Sequence, residues 1–349
     1  MSDLLSTVEG QATAVETLRR ALRLGRVPHA YLFDGPDGVG KERAAFGLAQ
    51  ALVCERRGEG SPTLGAQGPQ HSASAYHACG ICNACKRAAP RSSDSLPSHP
   101  DIAVIARGLY DPATIGRRSP ETQDISIDQV RTIVLAHAAF GPLEGKAKVF
   151  VVRRADELST SAANALLKTL EEPGPSTYFV LLSSVAGALL PTLRSRTQRL
   201  RFAPLPDDVV ERLLIAGGVD VARSAEIAPL AGGSMETGFS LADPQASARR
   251  EHFLSRATAA MQSRNLGDAL DLAEDAKKTD KTVVVRNVEA LALVLGARAR
   301  EAAILGDAGA DIASARHALA VAAVDQLASN ASTQLTVESM LIRMRAVVR

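Results

Sequence analysis

Apolar positions along the chain follow two periods, and the switches between them lay out the elements. Residues 5–24 carry Val15, Leu18, Ala21 and Leu22 at helical spacing, with a break at Gly10-Gln11. The short apolar run His29-Ala30-Tyr31-Leu32-Phe33 predicts a strand, and residues 43–53 predict a helix. His99-Pro100-Asp101 is a turn leading into the strand Ile102-Ala103-Val104-Ile105. Ser126 and Gln129 have the spacing of a capping box, opening a helix that runs to about Phe140. Residues 148–152 and 178–182 are continuous apolar runs, the pattern of buried strands. Between them Ser159 can cap a helix over residues 160–171, which Pro173-Gly174-Pro175 stops. Residues 200–202 form a last short strand. Strands alternating with helices predict an α/β fold, a parallel sheet with helices on both faces.

After Pro204-Leu205-Pro206 no strand pattern returns. Residues 207–242 predict short helices broken at Gly217-Gly218 and Gly232-Gly233. Residues 246–348 are rich in Ala, Leu and Val and helical throughout. Residues 283–303 and 313–328 are apolar on more than one face, which predicts burial against partners. Domain boundaries are therefore expected near 204 and 245, dividing the chain into 1–204, 205–245 and 246–349. Two segments lack periodicity: 55–77, rich in Gly, Ser, Pro, Ala and Gln, and 109–124, where Arg117 and Arg118 are expected to be exposed.

Composition narrows the function classes. With 40 basic and 38 acidic residues the net charge is +2, so any DNA contact has to be local. Aromatic content of 3% with no Trp gives little material for stacking on single strands. No apolar run approaches a membrane span, and the N-terminus lacks the zones of a signal peptide, so the chain reads as cytoplasmic. In that compartment four cysteines point to metal or chemistry rather than disulfides.

Two motifs carry chemistry. The first is Gly35-Pro36-Asp37-Gly38-Val39-Gly40-Lys41-Glu42, a G-x-x-x-x-G-K loop between a strand and a helix. In such a loop backbone N–H groups at Gly35, Gly38 and Gly40 and the helix N-terminus cradle phosphates, and Lys41 adds a point charge. Where the pattern places a Ser or Thr hydroxyl on Mg²⁺, this chain has Glu42. A carboxylate there repels phosphate, so stable ATP binding is not expected, and Lys41 is left to pair with an anion, with Glu42 or with solvent. The second motif is Cys54 with Cys79-Gly80-Ile81-Cys82-Asn83-Ala84-Cys85. Two overlapping C-x-x-C units and one upstream thiol make a four-thiolate set suited to tetrahedral structural Zn²⁺, with no open position for catalysis. Reduced surface thiols and a redox pair remain the other readings.

These residues together resemble the delta-prime family of bacterial DNA polymerase III clamp-loader subunits, a branch of the AAA+ ATPases. The resemblance runs along residues 5–204. It includes Gly10-Gln11, His29-Ala30-Tyr31-Leu32-Phe33, the P-loop, the cysteine cluster and His99-Pro100-Asp101. It continues through Asn164-Ala165-Leu166-Leu167-Lys168-Thr169-Leu170-Glu171-Glu172-Pro173 and Leu190-Pro191-Thr192 before Ser195-Arg196. The motor subunits of the same assembly, tau/gamma, share most of these motifs. The resemblance implies an AAA+ P-loop domain with a zinc-binding insertion at 54–85, a helical lid and an α-helical collar. It also implies membership of a hetero-oligomeric ring with motor and delta subunits, acting on the sliding clamp and primer–template DNA.

Chemistry separates the two subunit types. The Mg²⁺-binding acid pair of a motor falls at Arg153 and Arg154 here, both cationic. Asp156 and Glu157 lie farther along and are expected to face solvent near the helix start. The family's sensor arginine falls in Gly233-Ser234-Met235-Glu236-Thr237-Gly238, where Thr237 stands in its place. Ser183 or Ser184 corresponds to the polar sensor at the strand end. Arg196 of Ser195-Arg196-Thr197 corresponds to the finger that reaches a neighbour's ATP; the other reading is a structural arginine paired with a carboxylate of its own chain. The resemblance thus implies a subunit of the polymerase holoenzyme that does not hydrolyse ATP itself but lends Arg196 to an adjacent motor. The alternative is an active motor ATPase with Mg²⁺ held by Asp156. A zinc-based nucleic-acid module is a third reading, supported only by Lys86, Arg87 and Arg91.

Overall fold

A computed structural model describes residues 3–56, 78–90, 95–119, 124–263, 265–307, 309–328 and 331–347. Most of the expected 55–77 loop lies outside these residues. The chain forms two compact units, Met1–Phe239 and Ser240–Arg349.

In the first unit a 3₁₀ turn, Leu4–Thr7, precedes α1 (Ala12–Arg23), β1 (Ala30–Asp34), α2 (Lys41–Val53), α3 (Asn83–Ala88) and β2 (Ile102–Ile105). Helical residues from Ile127 to Ala138 follow, as α4 (Ile127–Gln129), a π-helical stretch Val130–Leu135 and α5 (Ala136–Ala138). Then come β3 (Lys148–Val152), α6 (Thr160–Glu171), β4 (Thr177–Ser183), α7 (Pro191–Arg194) and β5 (Gln198–Arg201). The short helices α8 (Asp207–Ala216) and α9 (Val221–Ile227) follow, and α10 (Met235–Ala242) begins in this unit and runs past its last residue.

The sheet has the order β2-β3-β4-β1-β5 with every pairing parallel. Parallel neighbours cannot be joined by tight turns, so each strand returns through a crossover. Ala30 and Leu32 of β1, Phe150 and Val152 of β3, and Phe179 and Leu181 of β4 share one face. That face buries Val130 and Val134 and the inner side of α6, Ala162, Leu166 and Leu170. Phe150 and Phe179 are register partners whose rings stack with centroids 5.2 Å apart. Alternation turns Tyr31 and Phe33 to the opposite face, and α2 packs against β3 and β4. The parallel α/β sheet with flanking helices and the all-helical C-terminal region are as expected.

Several local expectations are revised. The break expected at Gly10-Gln11 is present, with Gly10 at φ +69° and Gln11 in non-helical backbone ahead of α1, but the piece before it is only a 3₁₀ turn. The helix opened by Ser126 begins as expected, with the hydroxyl accepting from the Gln129 N–H at 3.2 Å, but widens to π geometry, for which the pattern holds no signal. Arg117 is half-buried, 3.4 Å from Asp128, whereas Arg118 is exposed.

The motif His99-Pro100-Asp101 turns out to be a buried brace. The Asp101 carboxylate accepts from the backbone N–H groups of Leu143 (2.5 Å), Glu144 (2.9 Å) and Gly145 (2.7 Å), fixing the turn before β3. Burial alone would raise the Asp101 carboxyl, but these three donors outweigh it and hold it below the usual value. Burial pushes His99 the other way, below its ordinary value, and so keeps it neutral.

The second unit holds α11 (Pro244–Gln262), α12 (Gly267–Lys278), α13 (Lys281–Leu305), α14 (Ala310–Ala328) and α15 (Thr333–Ala346). Phe253, Leu272, Val288, Leu291, Leu295, Leu327, Leu341 and Met344 meet in one core. α13 and α14 pack along each other, yet Leu293, Ile304 and Leu305 on α13 stay exposed.

Candidate functional site

The P-loop lies between the end of β1 and the start of α2, as its sequence predicts, and it is closed on itself. The Lys41 ammonium is buried and donates to the carbonyl oxygens of Gly35 and, at 2.7 Å, Pro36, with Asp37 Oδ1 at 3.2 Å. Its partners are thus its own loop and Asp37, neither Glu42 nor solvent. The Gly35 N–H donates to Ser183 O at 3.2 Å. On the outer side, the Met235 N–H donates to Gly38 O at 3.0 Å. Gly38 has φ +74°, and a Cβ there would lie 2.5 Å from Glu236 N and 2.7 Å from Ser234 Oγ. The start of α10 therefore covers the loop, and only glycine fits the contact. Gln11, from the Gly10-Gln11 motif, ties the same loop to the strand end: its buried amide donates to Val39 O (3.3 Å) and Ala203 O (2.7 Å) and accepts from Ala203 N (3.1 Å).

Next to the loop the charges are the reverse of those that hold a metal. Glu42, at the hydroxyl position, forms an ion pair with Arg153, the first position of the expected acid pair. Arg154, the second, lies 3.6 Å from Asp37 and 3.4 Å from Glu157. Burial disfavours the Arg154 charge, but Asp37, Glu157 and Glu236 outweigh it and hold the guanidinium more firmly protonated. Arg154 carries φ +45°, uncommon for a residue with a side chain.

Asp156 and Glu157 do not face solvent. Ser183 Oγ donates to Asp156 Oδ1 at 2.6 Å, and Glu157 is engaged by Arg154 and by Arg107 at 3.5 Å. Both acids are half-buried. The sequence pattern alone holds no signal for the Ser183–Asp156 bond, because it joins the turn after β3 to the end of β4, 27 residues apart. Thr237, at the sensor position, sits exposed in the first turn of α10, which Ser234 caps at 3.2 Å from the Thr237 N–H.

Arg196 lies just past α7 and partners its own chain. Its Nε donates to Glu171 Oε1 at 2.6 Å and Nη2 pairs with the same oxygen. Nη1 donates to Thr192 O at 2.9 Å and lies 3.4 Å from Ser195 Oγ. The Arg196 side chain is about a third exposed, at 34%.

The four cysteines, separated by 25 residues in sequence at their widest gap, converge. The sulfurs of Cys54, Cys79, Cys82 and Cys85 all lie within 4.8 Å of one another, and Cys79 and Cys85 are 3.8 Å apart. A tetrahedral Zn–S₄ site with bonds of about 2.3 Å has edges of about 3.8 Å, so the set fits such an ion. The turn is shaped for thiolates: the Cys82 N–H donates to Cys79 Sγ at 3.3 Å and the Cys85 N–H to Cys82 Sγ at 3.4 Å. Hydrogen bonding from Cys85 outweighs burial and draws the Cys54 thiol down to about 5, while Cys85, sharing that bond, is pushed up.

The family profile for "DNA polymerase III, delta subunit" matches residues 10–206. A DNA polymerase III subunit gamma/tau of Mycobacterium tuberculosis is 33% identical over 207 residues, which is 59% of this chain and 30% of that protein. A DNA polymerase III subunit delta' of Bacillus subtilis is 30% identical over 207 residues, covering 59% of this chain and 52% of that protein. Among solved structures, a gamma subunit-related protein of Thermotoga maritima aligns over 96% of this chain and 99% of its own at 16% identity, with a TM-score of 0.45. The matched region thus spans about a third to a half of these curated relatives, and percentage identity does not separate the two subunit types.

Proposed function

The chain belongs to the DNA polymerase III delta-subunit family, and from that premise we propose that it is the delta-prime member of a clamp loader, a scaffold that does not hydrolyse ATP. The observation that carries this reading is the reversed charge of the nucleotide corner. A motor needs a hydroxyl and two acids around Mg²⁺. Here Glu42 neutralises Arg153, Arg154 is held by Asp37 and Glu157, and Asp156 accepts from Ser183. Lys41, the charge that would meet phosphate, is bonded to Gly35 and Pro36. Asp37, Glu42, Asp156 and Glu157 each have a cation or a hydroxyl donor.

On this reading residues 1–204 are the AAA+ domain, 205–245 the lid and 246–349 the collar through which the chain joins motor and delta subunits in the cytoplasm. Cys54, Cys79, Cys82 and Cys85 hold a structural Zn²⁺. Arg196 serves the ATP site of the neighbouring motor, where a guanidinium neutralises charge on the transferred phosphoryl group and is worth ~10³–10⁵ in rate. The assembly loads the sliding clamp on primer–template DNA. The test is ATP turnover of the isolated chain and of the reconstituted complex. The isolated chain is expected to be inactive, and Arg196→Ala in the complex to lower turnover with zinc retained. Mg²⁺-dependent hydrolysis by the isolated chain, abolished by Asp156→Ala, would instead identify a motor.

A further inference from the structure

We infer that Glu171 is the positioning residue of Arg196: it holds the guanidinium edge so that the Nη2 side is presented to the neighbouring subunit's nucleotide. The inference rests on the reading of Arg196 as a finger and adds a residue to it.

Glu171 is the last residue of α6, and its place there is electrostatically adverse. The C-terminus of a helix carries partial negative charge and favours cations, as Lys168 in the same turn illustrates. A carboxylate at that point needs an external reason, and Arg196 supplies one. Nε donates to Glu171 Oε1 and Nη2 forms an ion pair with the same oxygen, while Nη1 donates to Thr192 O and lies 3.4 Å from Ser195 Oγ. A guanidinium has five N–H donors in a rigid plane. Nε and Nη1 are directed at these acceptors, which leaves Nη2, in an ion pair with Glu171, with no further hydrogen-bond acceptor among the described residues. The two anchors are themselves fixed. Pro173-Gly174-Pro175 ends α6 immediately after Glu171 and Glu172, and Leu193 of α7 is buried in the same core as Leu170 of α6. A flexible arginine is thereby biased toward one orientation before a partner arrives.

The pair is not explained by stability. Both side chains are well exposed, at 34% and 47%, and ion pairs in that setting contribute little. Neighbouring Glu172 is also exposed, and the contacts of Arg196 go to Glu171 alone of the two. Orientation has larger leverage on rate, since a misplacement of about 1 Å can lower a rate by ~10²-fold.

The test uses the assembled clamp loader with Glu171→Ala, Glu171→Gln, Arg196→Ala and the Glu171→Ala/Arg196→Ala pair, each checked for assembly and melting midpoint. Glu171→Ala is expected to lower the turnover number by about tenfold with the KM for ATP unchanged. Glu171→Gln, whose amide oxygen still accepts from Nε, is expected to restore most of it. In the Arg196→Ala background Glu171→Ala is expected to have no further effect. Unchanged or raised turnover in Glu171→Ala, or a further loss in the double variant, overturns the positioning role while leaving the finger in place. Unchanged turnover in Arg196→Ala removes the finger and this inference with it.

Discussion

Lys41 offers the sharpest separation of a closed loop from a working one. In a motor, removing the P-loop lysine abolishes turnover and barely touches the fold. The opposite is expected here. Lys41→Met retains the buried stem and deletes the ammonium that joins Gly35 O, Pro36 O and Asp37. Each carbonyl left without a donor costs about 1–3 kcal/mol. Asp37, at 37% side-chain exposure, is rehydrated and adds little. Release from the desolvation of a buried ammonium offsets part of this, leaving a net loss of about 2 kcal/mol. For a folding unit of this size that corresponds to roughly 4–8 °C in melting midpoint. Differential scanning calorimetry of the isolated chain measures the shift, and ATP turnover of the reconstituted complex measures function. Turnover is expected to stay within about a factor of two of the unmodified complex. An unchanged midpoint together with a collapse of turnover would refute the argument, because it would mean that Lys41 works on phosphate rather than on its own loop.

Other outcomes follow from the same structure. Asp101 is held below, and His99 below, their ordinary values, so both make the fold weaker on acidification. His99 begins to act as pH falls below its unfolded value of about 6.5, and Asp101 contributes stability above about 3.9 that is lost as pH falls through its lower folded value. The melting midpoint should fall in both windows, and Asp101→Asn should remove the lower one while lowering the midpoint at neutral pH by about 3 kcal/mol equivalent, since the amide can accept at only one oxygen. Cys85→Ser should reduce bound zinc, measured by elemental analysis, from one per chain to well below one; retention of a full equivalent would exclude the four-sulfur site. Because Cys85 is fully buried, the same variant places a hydroxyl in the interior and should lower the melting midpoint.

Much of the site could be read along the chain because its motifs are local. The P-loop, the Ser159 cap of α6 and the stop at Pro173 are each short runs whose backbone consequences follow from glycine, proline and hydroxyl chemistry. The substitution of arginine for acid at 153 and 154 was equally visible, since residue type alone excludes metal binding there. The partners of those residues were not visible. Asp156 and Glu157 read as solvent-facing because an acid near a helix start needs no partner. Their true neighbours, Ser183 and Arg107, arrive from the ends of β4 and β2. Likewise Asp101 read as a turn residue until three N–H groups some 42 positions away closed on it.

The order of residues by itself determined which groups exist in this protein: a phosphate-type loop, four thiols, a cationic pair where acids belong, and Arg196 in Ser195-Arg196-Thr197. Only the tertiary structure decided who neutralises whom. Glu42 finds Arg153 across 111 residues, Lys41 turns back on its own carbonyls, and Arg196 settles on Glu171. The reason is physical. Backbone preferences act over a few residues and can be read locally, whereas a half-buried charge must be matched by whatever the parallel sheet brings alongside it, and that is set by strand order and register.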